Sequence, residues 1–141
     1  MMSERHILQQ AAALHVAPQS IAIGNDLVHL PDFVHSLTPQ FIRHSFTEPE
    51  IAYCEQFSDK TLRYASTWAA KEAVYKAIKQ VDENIKIWWK GIEIHRDKPQ
   101  GKPSVCVRKL TTPLEFNLTI SHDGAYVWAL AMCLHHKPDI S

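Results

Sequence analysis

The stretch "WAAKEAVYKAI", Trp68–Ile78, sets a lysine and a glutamate side by side in a run otherwise made of alanines and large apolar groups. It belongs to a segment without glycine or proline that Ser58 or Asp59 can cap, and it reads as a helix through about Lys79. Ala65, Ala69, Ala73 and Ala77 recur every four residues and form a narrow seam that lets the backbone approach a sheet closely. At about 100° per residue, Glu72 and Lys76 fall within about 60° of Ala69, on the margin of that seam, while Lys71 points nearly the opposite way. On an exposed helix a Glu–Lys pair at this spacing contributes only about 0.2–0.5 kcal/mol. Beside a packed face a bare carboxylate is costly to desolvate, so Glu72 requires a cation or good hydrogen bonds.

The flanking sequence supplies strands for the seam. "SIAIGNDLVHL", Ser20–Leu30, alternates small and apolar residues around Gly24 and reads as a buried strand followed by a turn at Pro31. In "FTEPEIAYCEQF", Thr47 and Glu50 stand at capping-box spacing and Pro49 is tolerated in a first turn, which predicts a helix starting near Glu48. "GIEIHRD" and "SVCVRKL" read as two strands joined by the loop "KPQGKP". "EFNLTI" and "AYVWALAMC" read as a second hairpin, with Asp123-Gly124 as the turn signal. The expected fold class is α+β, an antiparallel sheet of hairpins packed on a long helix. At 141 residues one core is expected: residues 20–141 as a single domain, preceded by an extension over residues 1–19 with a short helix ending at Pro18.

Fifteen basic and fifteen acidic residues cancel, so net charge points to neither nucleic acid nor an anionic membrane as partner, and any anion must be bound locally. Cys54, Cys106 and Cys133 are odd in number and widely spaced, which suits a reducing compartment. Gln9, Gln10 and His15 interrupt the N-terminal apolar patch before a signal peptide forms, and no stretch approaches the roughly 20 apolar residues of a membrane span, so a cytoplasmic location is expected. The nine histidines include no pair at H-x-x-x-H spacing.

Asp26 raises the same difficulty as Glu72, because it sits amid apolar strand residues just after Gly24. It reads either as an Asx turn at a strand end or as a ligand. If the strand lies beside the long helix, Asp26 and Glu72 offer two hard oxygen ligands to one magnesium ion, which takes its remaining ligands from water and substrate phosphates. Lys76, one turn beyond Glu72, then meets a phosphate oxygen as a compact charge.

Taken together, "IGND", "FTEPE", "WAAKEAVYKA", "GKPSV" and "ISHDGAYVWALA" stand in the order found in the holo-acyl-carrier-protein synthases, the short bacterial type of the 4'-phosphopantetheinyl transferase superfamily, and over residues 20–134 the chain resembles that family. The resemblance implies transfer of the 4'-phosphopantetheine arm from coenzyme A to a serine of an apo acyl carrier protein. It implies a magnesium ion on Asp26 and Glu72, with Lys76 on the donor phosphates. Gly101, Lys102 and Pro103 of the G-K-P loop and Ser121 and His122 of the S-H motif are implied in donor binding. Family members of this type are generally trimers with active sites between neighbouring subunits. The general base stays open between Glu72 and a metal-bound water.

The chain departs from the family pattern in places. Thr67 stands where the family commonly carries an arginine for a donor phosphate, and Arg63, one turn earlier, is the expected replacement. In "DLVHLPDF", His29 and Asp32 replace the charges expected to feed carrier docking, which leaves Arg43 as another basic candidate. The alternative readings are a catalytically silent relative that binds a carrier protein or coenzyme A, and an unrelated α+β phosphate-binding domain.

Overall fold

The long helix forms as its composition dictates, Lys60–Val81, and Ala65, Ala69, Ala73 and Ala77 are all fully buried along it. The computed structural model describes residues 3–5, 19–98, 101–110 and 113–136. The helix expected over the first 18 residues lies outside these apart from residues 3–5, of which Glu4 and Arg5 are helical.

The elements in chain order are β1 (Gln19–His29), α1 (Leu30–Ser36), α2 (Pro39–Ser45), α3 (Glu48–Glu55), α4 (Lys60–Val81), a 3-10 turn (Trp89–Gly91), β2 (Ile92–His95), β3 (Ser104–Val107), β4 (Leu114–Asp123) and β5 (Tyr126–His136). The α+β expectation holds, with one refinement. The strands form two antiparallel sheets, β1-β5-β4 and β2-β3, because β1 pairs along the whole of β5 and closes that side of the second hairpin.

Three further features differ from the sequence reading. Pro31 begins a helix instead of a turn, since it occupies the first turn of α1, where its missing N–H costs nothing. Pro39 does the same in α2, which Thr38 caps by accepting a hydrogen bond from the Phe41 N–H at 3.1 Å. The second hairpin turns on Gly124 and Ala125, with Asp123 still in β4 and Gly124 at φ 57°. Asp59 precedes α4 but makes no side-chain cap; its carboxylate instead accepts from Arg63 Nε at 3.3 Å. The capping box at Thr47 and Glu50 is present as expected.

The β1-β5-β4 sheet meets α4 with its small residues. Ala22, Gly24, Asp26 and Val28 of β1 and Val127, Ala129, Ala131 and Cys133 of β5 face inward and are buried. A Cβ at Gly24 would run into the Ala73 carbonyl and lie 2.6 Å from the Ala77 nitrogen, so the two backbones touch there only because both sides are trimmed. The opposite flank of α4 packs on α3, β2 and an aromatic cluster in which Trp68 stacks edge-on with Phe41 at 5.1 Å.

Candidate active site

Closeness between β1 and α4 brings the two isolated carboxylates together. Asp26 lies in β1 opposite Ala129 of β5 and is buried, and its Oδ1 accepts a hydrogen bond from Lys76 Nζ at 3.0 Å. Lys76 also donates to the Asn25 carbonyl at 3.0 Å. Its side chain stays half exposed, so the ammonium is the solvent-facing member of the trio. Asp26 Oδ2 is buried without a hydrogen-bond partner. Burial first, then hydrogen bonding with Asp26 and its charge, raise the Glu72 carboxyl to about 8, against the opposing pull of Lys76. Two ionised carboxylates have no proton to share, so the pair is satisfied only when Glu72 is protonated or a cation arrives. This donor set matches a hard divalent ion of the magnesium type, which uses one or two protein carboxylates and leaves other positions to water and phosphate. Among the described residues no cluster of three or more His, Cys, Asp or Glu forms a complete protein cage.

A cleft of ≈ 360 Å³ opens alongside the N-terminal half of α4. It gathers Arg63, Gly101, Pro103, Ser121 and His122 from three separate parts of the chain. Those five sequence-predicted residues therefore share one wall-to-wall space. Lys102 does not join them, but lines an adjoining hollow with Pro103 and Phe116. His122 Nε2 lies 3.0 Å from the Gly124 carbonyl.

The cleft also contains Arg96, which the sequence reading passed over. Its guanidinium donates to Thr67 Oγ1 at 2.9 Å and stands 4.4 Å from the Tyr53 ring centroid. Burial chiefly, opposed by Tyr53 and nearby acidic groups and reinforced by Arg63, lowers its pKa from the ordinary arginine value. Thr67, where the resemblance expects an arginine, is fully buried and passes its own hydroxyl hydrogen to the Arg63 carbonyl at 2.9 Å. Arg63 is partly spoken for, stacked 3.9 Å from the Phe57 ring and paired with Asp59. The only sequence signal for Arg96 was a basic residue at a strand end just before the G-K-P loop.

The family model described as 4'-phosphopantetheinyl transferase superfamily matches residues 22–131. The chain belongs to that superfamily. Its relatives include the holo-[acyl-carrier-protein] synthase of Protochlamydia amoebophila, 32% identical over 120 residues, covering 80% of this chain and 97% of that protein. A fatty acid synthase alpha subunit of Dothistroma septosporum is 36% identical over 112 residues, covering 78% of this chain. The chain spans a third or less of the length of the fatty acid synthase alpha subunits it matches. In structure, the Chronobacterium ammoniagenes synthase in complex with CoA superposes with a TM-score of 0.74 at 26% identity, covering 84% of this chain and 99% of that one. Among these transferases the fold is thus the expected one.

The docking segment at the end of β1 looks different from its sequence reading. His29 Nδ1 lies 2.8 Å from Asp32 Oδ2, so these two residues pair with each other across the start of α1. Arg43 is exposed in the last turn of α2.

Proposed function

We propose that this chain transfers 4'-phosphopantetheine from coenzyme A to a serine of an apo acyl carrier protein with magnesium as cofactor. The observation that carries the reading is the pairing of buried Asp26, with its orphan oxygen, and half-buried Glu72, flanked by Lys76, on the helix whose N-terminal half lines the cleft that holds Arg63, Ser121 and His122. The carrier serine Oγ forms a bond to the β-phosphorus, the bond from that phosphorus to the bridging oxygen breaks, and adenosine 3',5'-bisphosphate leaves. Asp26 and Glu72 hold the magnesium ion, which, when bound, neutralises charge on the diphosphate. Lys76 turns from Asp26 and the Asn25 carbonyl to the phosphate oxygens, and the remaining work is alignment of nucleophile and leaving group. The serine proton passes to Glu72 or to a metal-bound water.

Residues 20–141 form the transferase domain in this reading, with residues 1–19 appended. A homotrimer is supported by the outward face of β1 and β5, where Ile21, Ile23, Leu27, Trp128, Leu130 and Met132 are exposed. Such a contiguous apolar face without Asp, Glu, Lys or Arg suits further copies of this chain better than an acidic carrier. Carrier contact falls instead to the α1–α2 segment with Arg43. Cys54, Cys106 and Cys133 are free, in keeping with a cytoplasmic location. No helix among the described residues is long and apolar enough to cross a membrane.

The test is mass spectrometry of apo carrier proteins incubated with this protein, coenzyme A and magnesium. The expected result is a carrier heavier by one phosphopantetheine. Several carriers left unmodified while coenzyme A still binds would establish the silent relative in its place.

A further inference from the structure

At the carboxyl end of α4, away from the carboxylate pair, the molecule holds a cavity of ≈ 370 Å³. Small-ligand pockets span about 300–1,000 Å³. Val81, on its wall, follows Glu72 on the helix by a rise of about 13.5 Å, so this space belongs neither to the carboxylate pair nor to the cleft at the other end of α4. Its floor is apolar. Val81, Ile85 and Leu114 are partly buried and pack on the core, and Leu110 lines the same space from the chain after β3.

Its rim is basic. Lys86 and Lys109 are exposed, and among the described residues neither ammonium has an ion pair or a hydrogen bond. His135 Nδ1 lies 3.1 Å from Ser20 Oγ, which leaves Nε2 as a further polar atom on the wall. The acid there, Asp82, is already engaged, since its Oδ1 accepts from the Asn84 N–H at 2.9 Å. The partial negative charge at the end of α4 is offset by Lys79 of the last turn, whose Nζ donates to the carbonyls of Glu83 and Ile85.

The backbone adds an independent observation. Lys109 stands at φ 63°, the one residue other than glycine at positive φ among the described residues. That conformation crowds the Cβ against the following carbonyl, and glycine or asparagine adopts it more readily. A turn alone does not need a lysine there, so the strain points to a use for the side chain.

We propose that this cavity binds a small amphipathic anion, a carboxylate or phosphate head on a short apolar tail. Lys86 and Lys109 meet the head, and Val81, Ile85, Leu110 and Leu114 surround the tail. An apolar floor disfavours a bare inorganic anion, and two free ammonium groups favour a charged ligand over a neutral one. The site is separate from the transfer reaction and does not depend on that reading.

The experiment is isothermal titration of octanoate, octyl phosphate, octanol, acetate and inorganic phosphate into the full chain. One octyl anion is expected to bind per chain, at least about tenfold tighter than octanol, which lacks the charge, and than acetate or phosphate, which lack the tail. The tighter of the two octyl anions identifies the head. Lys86→Gln and Lys109→Asn should each weaken that binding about fivefold, the scale of one partly exposed charge contact, and the double variant by more than either. Without ligand, Lys109→Asn should melt no lower than the wild type, so its lost affinity is not a folding defect. Lys98→Gln, exposed and off the cavity, should bind as the wild type does. Octyl anions that bind no tighter than octanol or the tailless anions, binding undiminished in both Lys86→Gln and Lys109→Asn, or an equal loss in Lys98→Gln would overturn the proposal.

Discussion

Lys71 and Glu72 are neighbours in sequence and both are charged groups turned toward packed faces, yet they sit in opposite circumstances. Lys71 is wholly buried and complete: its Nζ donates to Glu50 Oε1 at 2.7 Å and to the Ile92 carbonyl at 2.6 Å. Glu50 in turn accepts from the Thr47 N–H at 2.8 Å and the Ile94 N–H at 2.9 Å, so one carboxylate ties the start of α3, the edge of β2 and α4 together. Burial pulls the Lys71 pKa down while Glu50 opposes it. Glu72 faces the other sheet beside Asp26, where an oxygen has no partner and the carboxyl is pushed up to about 8. A buried charge with every hydrogen bond made is architecture; the orphan oxygen beside Glu72 is the one the proposed cation would satisfy.

The contrast is broken most sharply at Glu72. Glu72→Gln keeps the shape and removes the charge proposed to hold the cation, so transfer should fall by about a hundredfold or more while the melting temperature stays level or rises. Near-normal turnover, or a collapse of the fold, would erase the distinction. Lys71→Ala should do the reverse, costing about 3–5 kcal/mol in denaturant unfolding because it strands the Glu50 carboxylate in the interior. A loss below about 1 kcal/mol would show that the Glu50 network closes without it.

The smallest effect is the dependence of stability on pH. The folded pKa of Glu72, about 8, lies above its ordinary value of 4.5, so the native state holds an extra proton between those limits. Stability of the metal-free protein should therefore decline as pH rises from about 4.5 to about 8 and level off beyond. Denaturant midpoints at several pH values check this, and Glu72→Gln should flatten that part of the profile. An identical slope in the variant would assign it to other groups.

How much of this was legible in the chain follows from where the information lies. The seam of Ala65, Ala69, Ala73 and Ala77 and the flanking Glu72 and Lys76 obey helical periodicity, so their faces could be read directly. Asp26 stood out because it interrupts an apolar strand beside Gly24. The second packed flank was not legible, since nothing near Lys71 in sequence announces Glu50, which is 21 residues away. Arg96 was missed for the same reason: its partner Thr67 is 29 residues distant, and the local signal favoured Arg63. Helix α1 was hidden by Pro31, which read as a turn although it occupies a first turn. In β1 the large residues Ile21, Ile23 and Leu27 read as core, but the close approach of α4 reserves the inner face for Ala22, Gly24 and Asp26 and turns the large ones outward.

The central claim is that Asp26 and Glu72 jointly hold one divalent cation in the presence of the donor. Its most direct test is calorimetric titration of magnesium into the protein saturated with coenzyme A, repeated with Asp26→Asn and Glu72→Gln. The account predicts one site per chain in the wild type and loss of that binding in each variant. Undiminished magnesium binding in both variants would contradict it.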